Sequence, residues 1–170
     1  MKRLLSKIHE KLPKLRHKST YSGMKCGDVI YQKLLDNGVT DAMVYSGGAI
    51  MPVIDAFYDK KDINYYINTH EQNAGHAATG YAKSSNKTGV VIVTSGPGLT
   101  NLVTPILDAT NDSTPLVVFS GQVPLRAMGS LAFQECPATE ITTSITKWSY
   151  CVKHIEEIPR VIDLAFKVAN

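Results

Sequence analysis

Four consecutive β-branched residues, Val90-Val91-Ile92-Val93, followed at once by Thr94-Ser95-Gly96-Pro97-Gly98, constrain this chain more than any other feature. The run is too short for a helix and has no polar side to leave wet. It predicts a strand over residues 89–94 that is buried on both faces, the situation of a parallel sheet sandwiched between helices. Residues 42–45, 63–67 and 116–120 predict further short strands, and residues 148–152 another. Helical spacing and turn residues predict helices over 24–37, 50–58, 71–85, 99–110 and 158–168. Strands alternating with helices specify an α/β domain, a doubly wound parallel sheet with helices on both faces. In such sheets the ligand crevice lies beyond the carboxyl ends of the strands. Gly47-Gly48, His70-Glu71, Ser95-Gly96-Pro97-Gly98 and Gly121-Gln122 all fall at those ends, so the pattern predicts a single site. Residues 121–138 lack periodicity and read as a functional loop.

At 170 residues the chain has the size of one domain. Its net charge of +3 is unevenly spread. Residues 1–22 hold seven Lys or Arg against Glu10 alone, which makes that segment +6 and the remainder −3. Leu4, Leu5, Ile8, Leu12 and Leu15 follow helical spacing there, so 1–22 reads as a basic extension, either a solvated tail or an organelle-targeting leader. The negative body, 23–170, argues against nucleic-acid binding as the main function. No apolar run is long enough to span a bilayer. Cys26, Cys136 and Cys151 are too few and too scattered for a disulfide framework or a zinc site, which suits a reducing compartment. The simple expectation is a cytoplasmic protein, with an organelle as the alternative.

Glu71 is the lone carboxylate in Thr69-His70-Glu71-Gln72-Asn73-Ala74-Gly75-His76-Ala77-Ala78-Thr79-Gly80-Tyr81-Ala82, at the start of a helix of small residues. Further on come Thr94-Ser95-Gly96-Pro97-Gly98-Leu99-Thr100-Asn101, Gly121-Gln122-Val123-Pro124 and Ala132-Phe133-Gln134-Glu135. The glycine turn is neither a Walker loop nor a GxGxxG fingerprint. Taken in this order, the four motifs resemble the pyrimidine-binding domain of thiamine diphosphate enzymes, and within them the large catalytic subunit of acetolactate synthases. The resemblance covers residues 24–170.

The resemblance implies a thiamine diphosphate-binding fold and a role for each matching residue. Glu71 would hydrogen-bond the aminopyrimidine ring nitrogen of the cofactor and exchange a proton with it. Pro97 and Asn101 would shape the wall beside that ring. Gln134 would contact the cofactor, and Phe133 would line the substrate side of a closing loop. Gly48 and Ala49 would face the reacting carbons, Lys147 the entrance, and Ser113 a flavin, so FAD enters as an expectation. The small-residue helix would lie near a homodimer or tetramer interface. The implied reaction decarboxylates pyruvate and condenses the two-carbon unit with a second 2-oxo acid, in branched-chain amino-acid biosynthesis.

Several positions depart from the family pattern: Ser46, Asn73, His76, Thr79, Leu125 and Leu131. Also missing is the Gly-Asp-Gly signature, with a later Asn, that binds magnesium and the diphosphate. Magnesium would therefore be held by another domain or subunit, and these residues alone are not expected to catalyse. Two further readings stay open: one subunit of a split thiamine-dependent 2-oxo acid decarboxylase, and a non-catalytic interaction protein that keeps the fold.

Overall fold

The computed structural model describes residues 21–170, and the basic segment 1–20, with its leucine periodicity, lies outside the described residues. The chain opens with helix α1 (Cys26–Asp36) and strand β1 (Asp41–Val44). A 3-10 turn, Gly48–Ile50, leads into helix α2 (Met51–Asp55), then strand β2 (Asn64–Ile67) and helix α3 (Glu71–Ser85). Strand β3 (Gly89–Val93) is followed by helices α4 (Pro97–Thr100) and α5 (Val103–Asn111) and strand β4 (Leu116–Ser120). A 3-10 turn at Leu125–Ala127, helix α6 (Ala138–Thr143), a 3-10 turn at Ile155–Glu157 and helix α7 (Ile158–Ala169) complete it.

All four strands are parallel, in the order β2-β1-β3-β4. The chain steps from β1 outward to β2, then crosses back over β1 to β3. The carboxyl ends of β1 and β3 therefore flank the point where the winding reverses, which is where a crevice opens.

β3 explains the two-faced core. Its side chains alternate, so Val90 and Ile92 join Leu34, Val44, Phe57, Ile63, Ile162 and Phe166 on one face. Val91 and Val93 join Ala74, Ala78, Leu102 and Ile106 on the other. The expected helices on both faces are present. The small residues of α3 serve first its own packing. A side chain at Gly75 would run into the Pro105 ring, and one at Gly89 into the Ala78 carbonyl.

Five local expectations are corrected. Helix 99–110 is two helices, because Pro105 has no N–H for the Asn101 carbonyl and its ring would collide with it. The Leu102 N–H bonds back only to Leu99, at 2.8 Å, and the axis breaks there. Helix 50–58 contracts to α2, with i→i−3 bonds from Ala56, Phe57 and Tyr58 closing it as turns. β2 is an edge strand with every residue exposed, not a covered one. The loop 121–138 ends in α6, which the lack of periodicity concealed. Residues 148–152 form no strand; they and β4 line the same cavity.

Candidate functional site

Glu71 is the first residue of α3 and only 6% exposed. His70 caps the same helix: its Nδ1 accepts the Gln72 N–H at 3.1 Å, a lone pair taking up one of the unpaired N–H groups of the first turn. Asn101 sits in the break between α4 and α5, and its Nδ2 donates to Glu71 Oε2 at 2.9 Å. The kink that Pro105 imposes thus leaves Asn101 aimed across the crevice. Glu71 Oε1 takes no hydrogen bond from the described residues, yet it is not sealed in. One oxygen is held and the other is presented.

The surrounding loops are locked together by close backbone approach. Gly96 has φ of +56°, and a Cβ there would lie 2.6 Å from the Gln134 carbonyl oxygen. Glycine is the residue that satisfies both the left-handed φ and that contact. A Cβ at Gly47 would fall 2.5 Å from Thr94 Cβ, and one at Gly121 would fall 2.9 Å from Ala49 Cβ. The turns after β1, β3 and β4 and the Gln134 loop therefore converge. A Cβ at Gly48 would meet nothing within 4 Å, so that backbone borders open space. Among the described residues, Thr94 Oγ1 is the buried side-chain polar atom left without a partner, directly beneath this junction.

The Gln134 loop is shaped by a residue to which the sequence reading gave no role. Gly129, Leu131 and Gln134 all have positive φ. The Glu135 carboxylate accepts the N–H groups of Gly129 and, at 3.1 Å, Ala132. The Gly129 N–H is the main cause that holds the Glu135 carboxyl below the ordinary carboxylate range. With its backbone clasped in this way, the loop carries Leu131 and Phe133 outward, 93% and 87% exposed. The sequence signal was the glutamate itself, six residues after a glycine in a segment otherwise without acids.

The structure brings Gly48, Ala49, Glu71, Pro97, Asn101, Gln134 and Phe133 to the carboxyl end of the sheet. It does not bring Ser113 or Lys147 to Glu71. Ser113 lies in the turn between α5 and β4, at the amino end of the strands, with φ of +53°. The Lys147 ammonium donates to the carbonyls of Val168 and Ala169, at 3.2 and 2.9 Å, where it caps the end of α7. That end also lies at the amino side, because Asn170 bonds Thr88, the residue before β3. Ser113 and Lys147 do border one cavity of about 630 Å³ that runs along β4. His76 is exposed and 3.9 Å from Asp108, away from Glu71's partners. Among the described residues no group of three His, Cys, Asp or Glu is placed to hold a metal. None of the helices described is long and apolar enough to cross a membrane.

The donor set suits a heteroaromatic base. A buried carboxyl with one fixed and one presented oxygen can exchange a proton with a ring nitrogen, and a side-chain-free Gly48 lets a flat ring approach. Residues 24–141 match the family described as thiamine pyrophosphate enzyme, N-terminal TPP binding domain. The chain is 49% identical over 151 residues to the mitochondrial acetolactate synthase catalytic subunit of Aspergillus candidus, which covers 89% of this chain and 22% of that protein. It is 47% identical to the mitochondrial acetolactate synthase of Schizosaccharomyces pombe, over 92% of this chain and 23% of the relative. It is 46% identical to the acetolactate synthase large subunit of Lactococcus lactis, over 84% and 25%. The chain thus spans about a quarter of the length of the curated relatives it matches.

Proposed function

Since the chain belongs to the thiamine pyrophosphate enzyme N-terminal TPP binding domain family, we propose that it forms the pyrimidine half of an acetolactate synthase-like active site. The observation that carries this reading is the Asn101–Glu71 bond, which fixes a buried carboxyl at the crevice and leaves Oε1 facing it. When bound, thiamine diphosphate supplies the carbon that attacks a 2-oxo acid and holds the negative charge left by decarboxylation.

This chain's residues do the rest of the work on their side. Glu71 holds a proton against the aminopyrimidine ring nitrogen and gives or takes it as the cofactor requires. Asn101 keeps the carboxyl turned to the crevice. Gly48 and Ala49 form the wall toward the reacting carbons, and Pro97 the wall beside the ring. Gln134 closes on the cofactor, and Phe133 excludes water from the side where pyruvate and a second 2-oxo acid enter. The diphosphate and its magnesium fall to another domain or subunit. The expectation of FAD rests on Ser113 alone, which lies away from Glu71.

Several large apolar side chains in the segments that follow the strands are exposed: Met51, Leu125, Met128, Leu131 and Phe133. Exposed apolar side chains gathered at one end of a sheet suit a protein interface. It supports a partner surface that completes the site. The outer face of α3, where Asn73, Ala77 and Gly80 are spaced along one side and a Cβ at Gly80 would meet nothing, suits a close dimer contact. The word mitochondrial in the names of the fungal relatives favours the organelle reading of residues 1–22. A fluorescent reporter fused to 1–22 in yeast is expected in mitochondria, and a diffuse cytoplasmic signal would restore the cytoplasmic reading.

The functional test pairs the chain with the Lactococcus lactis large subunit from which the matching N-terminal quarter is removed. Acetolactate formed from pyruvate by the wild-type chain and lost with Glu71→Gln is the expected result. A folded pair that forms none would remove the catalytic reading.

A further inference from the structure

Asparagine, aspartate, serine and threonine are the usual side chains that accept the free N–H groups of a helix start. α3 uses His70 instead, with Nδ1 accepting the Gln72 N–H at 3.1 Å. An accepting Nδ1 carries no proton, so the ring in this position holds its proton on Nε2. Histidine is also the one cap of this kind that can lose its accepting lone pair near neutral pH. His70 is exposed, so protons reach it from solvent. Among the described residues its ring has no other hydrogen bond and joins no ion pair. The turns 46–49, 68–69 and 94–98, which share this end of the sheet, bring no charged side chain. Glu135 is spent on the N–H groups of Gly129 and Ala132. The titratable group that adjoins His70 is Glu71 itself.

The body of α3 is wedged in place. Ala74 and Ala78 are fully buried, and a side chain at Gly75 would meet the Pro105 ring. The first bond of the helix runs from the Ala74 N–H to the His70 carbonyl, at 3.1 Å. What can loosen is the turn ahead of it, residues 71–73, and that turn carries Glu71. Asn101 holds one Glu71 oxygen at 2.9 Å, but a bond to the end of a side chain does not fix the backbone beneath it. Gln72 is second in the helix, so its N–H has no carbonyl to bond within α3, and its partner is His70. A proton on Nδ1 sets two donors against each other and puts a positive charge at the positive end of the helix. The ring must then leave the cap.

We propose that His70 is a positioning residue for Glu71, on the reading of Glu71 as the proton-exchanging carboxyl, and that a proton on its ring releases the first turn of α3 and with it the aim of that carboxyl. The cap is whole while the ring is neutral and is lost as pH falls through the ring's own titration. Acid then weakens the pyrimidine half of the site without having to protonate Glu71.

NMR of the full chain tests this without cofactor. Above its titration midpoint the wild-type ring is expected as the Nε2–H tautomer. Protection of the Gln72 amide, taken against its intrinsic exchange rate at each pH, is expected to fall about fivefold or more through that midpoint. The side-chain amide signals of Asn101, which report its bond to Glu71, are expected to move with it. His70→Asn supplies a cap that does not titrate and is expected to abolish both steps, so that a step left in the Asn101 signals belongs to Glu71. His70→Ala is expected to show the uncapped values at every pH. In the pair with the shortened bacterial large subunit, the acid limb of kcat is expected to follow the ring's midpoint and to recede to lower pH with His70→Asn. An Nδ1–H ring, a Gln72 amide indifferent to the midpoint, or the same two steps in His70→Asn would overturn the proposal. A pair that forms no acetolactate at any pH would instead count against the reading of Glu71, and the signals of the unpaired chain would still decide the part played by His70.

Discussion

Glu71 carries the proposed chemistry because two neighbours leave it no freedom. The cap at His70 fixes the helix start, and Asn101 fixes one oxygen. Asn101→Ala is expected to leave the fold intact and to cost the reconstituted enzyme roughly tenfold to a hundredfold in kcat, since a misaimed carboxyl transfers its proton poorly. Assaying the variant with the shortened bacterial large subunit checks this. Gly96→Ala tests the lock between loops. Its left-handed φ and the Gln134 carbonyl both oppose a Cβ, so a stability loss of about 2 kcal/mol or more is expected in urea unfolding. Of these residues, the motifs made Glu71, Asn101 and Gln134 legible in the sequence. Thr94 and Glu135 were not, because their parts depend on which backbones meet, and that is set by the fold rather than by local spacing.

At the scale of elements, two ties are open to measurement. Lys33 on α1 bonds Asp36 at 3.2 Å and Asp163 of α7 at 2.7 Å. Burial pushes its ammonium down, but the bonds to Asp163 and Asp36 outweigh that and leave it raised. Lys33→Met is expected to destabilise the chain by about 1–2 kcal/mol, a modest figure because Asp163 is half exposed. Glu135 clasps the loop through the Gly129 N–H and holds its carboxyl low. The sign follows directly: the folded value lies below the unfolded one, so the clasp is fully present above the ordinary carboxylate range and is lost as pH falls through the folded value. Protection of the Gly129 and Ala132 amides, taken against their intrinsic exchange rate at each pH, is expected to fall on that acid side, and Glu135→Gln to lower it already at neutral pH. The four strands of the sheet and the helices at 26–36, 71–85 and 158–169 were legible at this scale from periodicity, whereas the strand expected at 148–152 did not form. The break at Asn101 needed the consequence of Pro105 to be drawn, and α6 had no apolar rhythm to announce it.

For the molecule as a whole, the parallel α/β architecture followed from four short apolar runs, and the single crevice from the turn residues beyond them. What the sequence did not disclose was which strands lie side by side and which large apolar side chains stay exposed. That β2 and β4 are the outer strands among the described residues becomes visible only once the strands are ordered side by side. The stretch 148–152 illustrates this: its residues suit a strand, yet in the fold they line a cavity together with β4.

The central claim is that the Glu71 carboxyl exchanges a proton with the aminopyrimidine of the cofactor. Its most direct test is the rate of hydrogen–deuterium exchange at the thiazolium C2 of thiamine diphosphate, bound at saturation by the chain paired with the shortened bacterial large subunit. The account predicts fast exchange with the wild-type chain and a fall of about 10²–10⁴-fold with Glu71→Gln. An unchanged rate in the variant, with cofactor still bound, would contradict it.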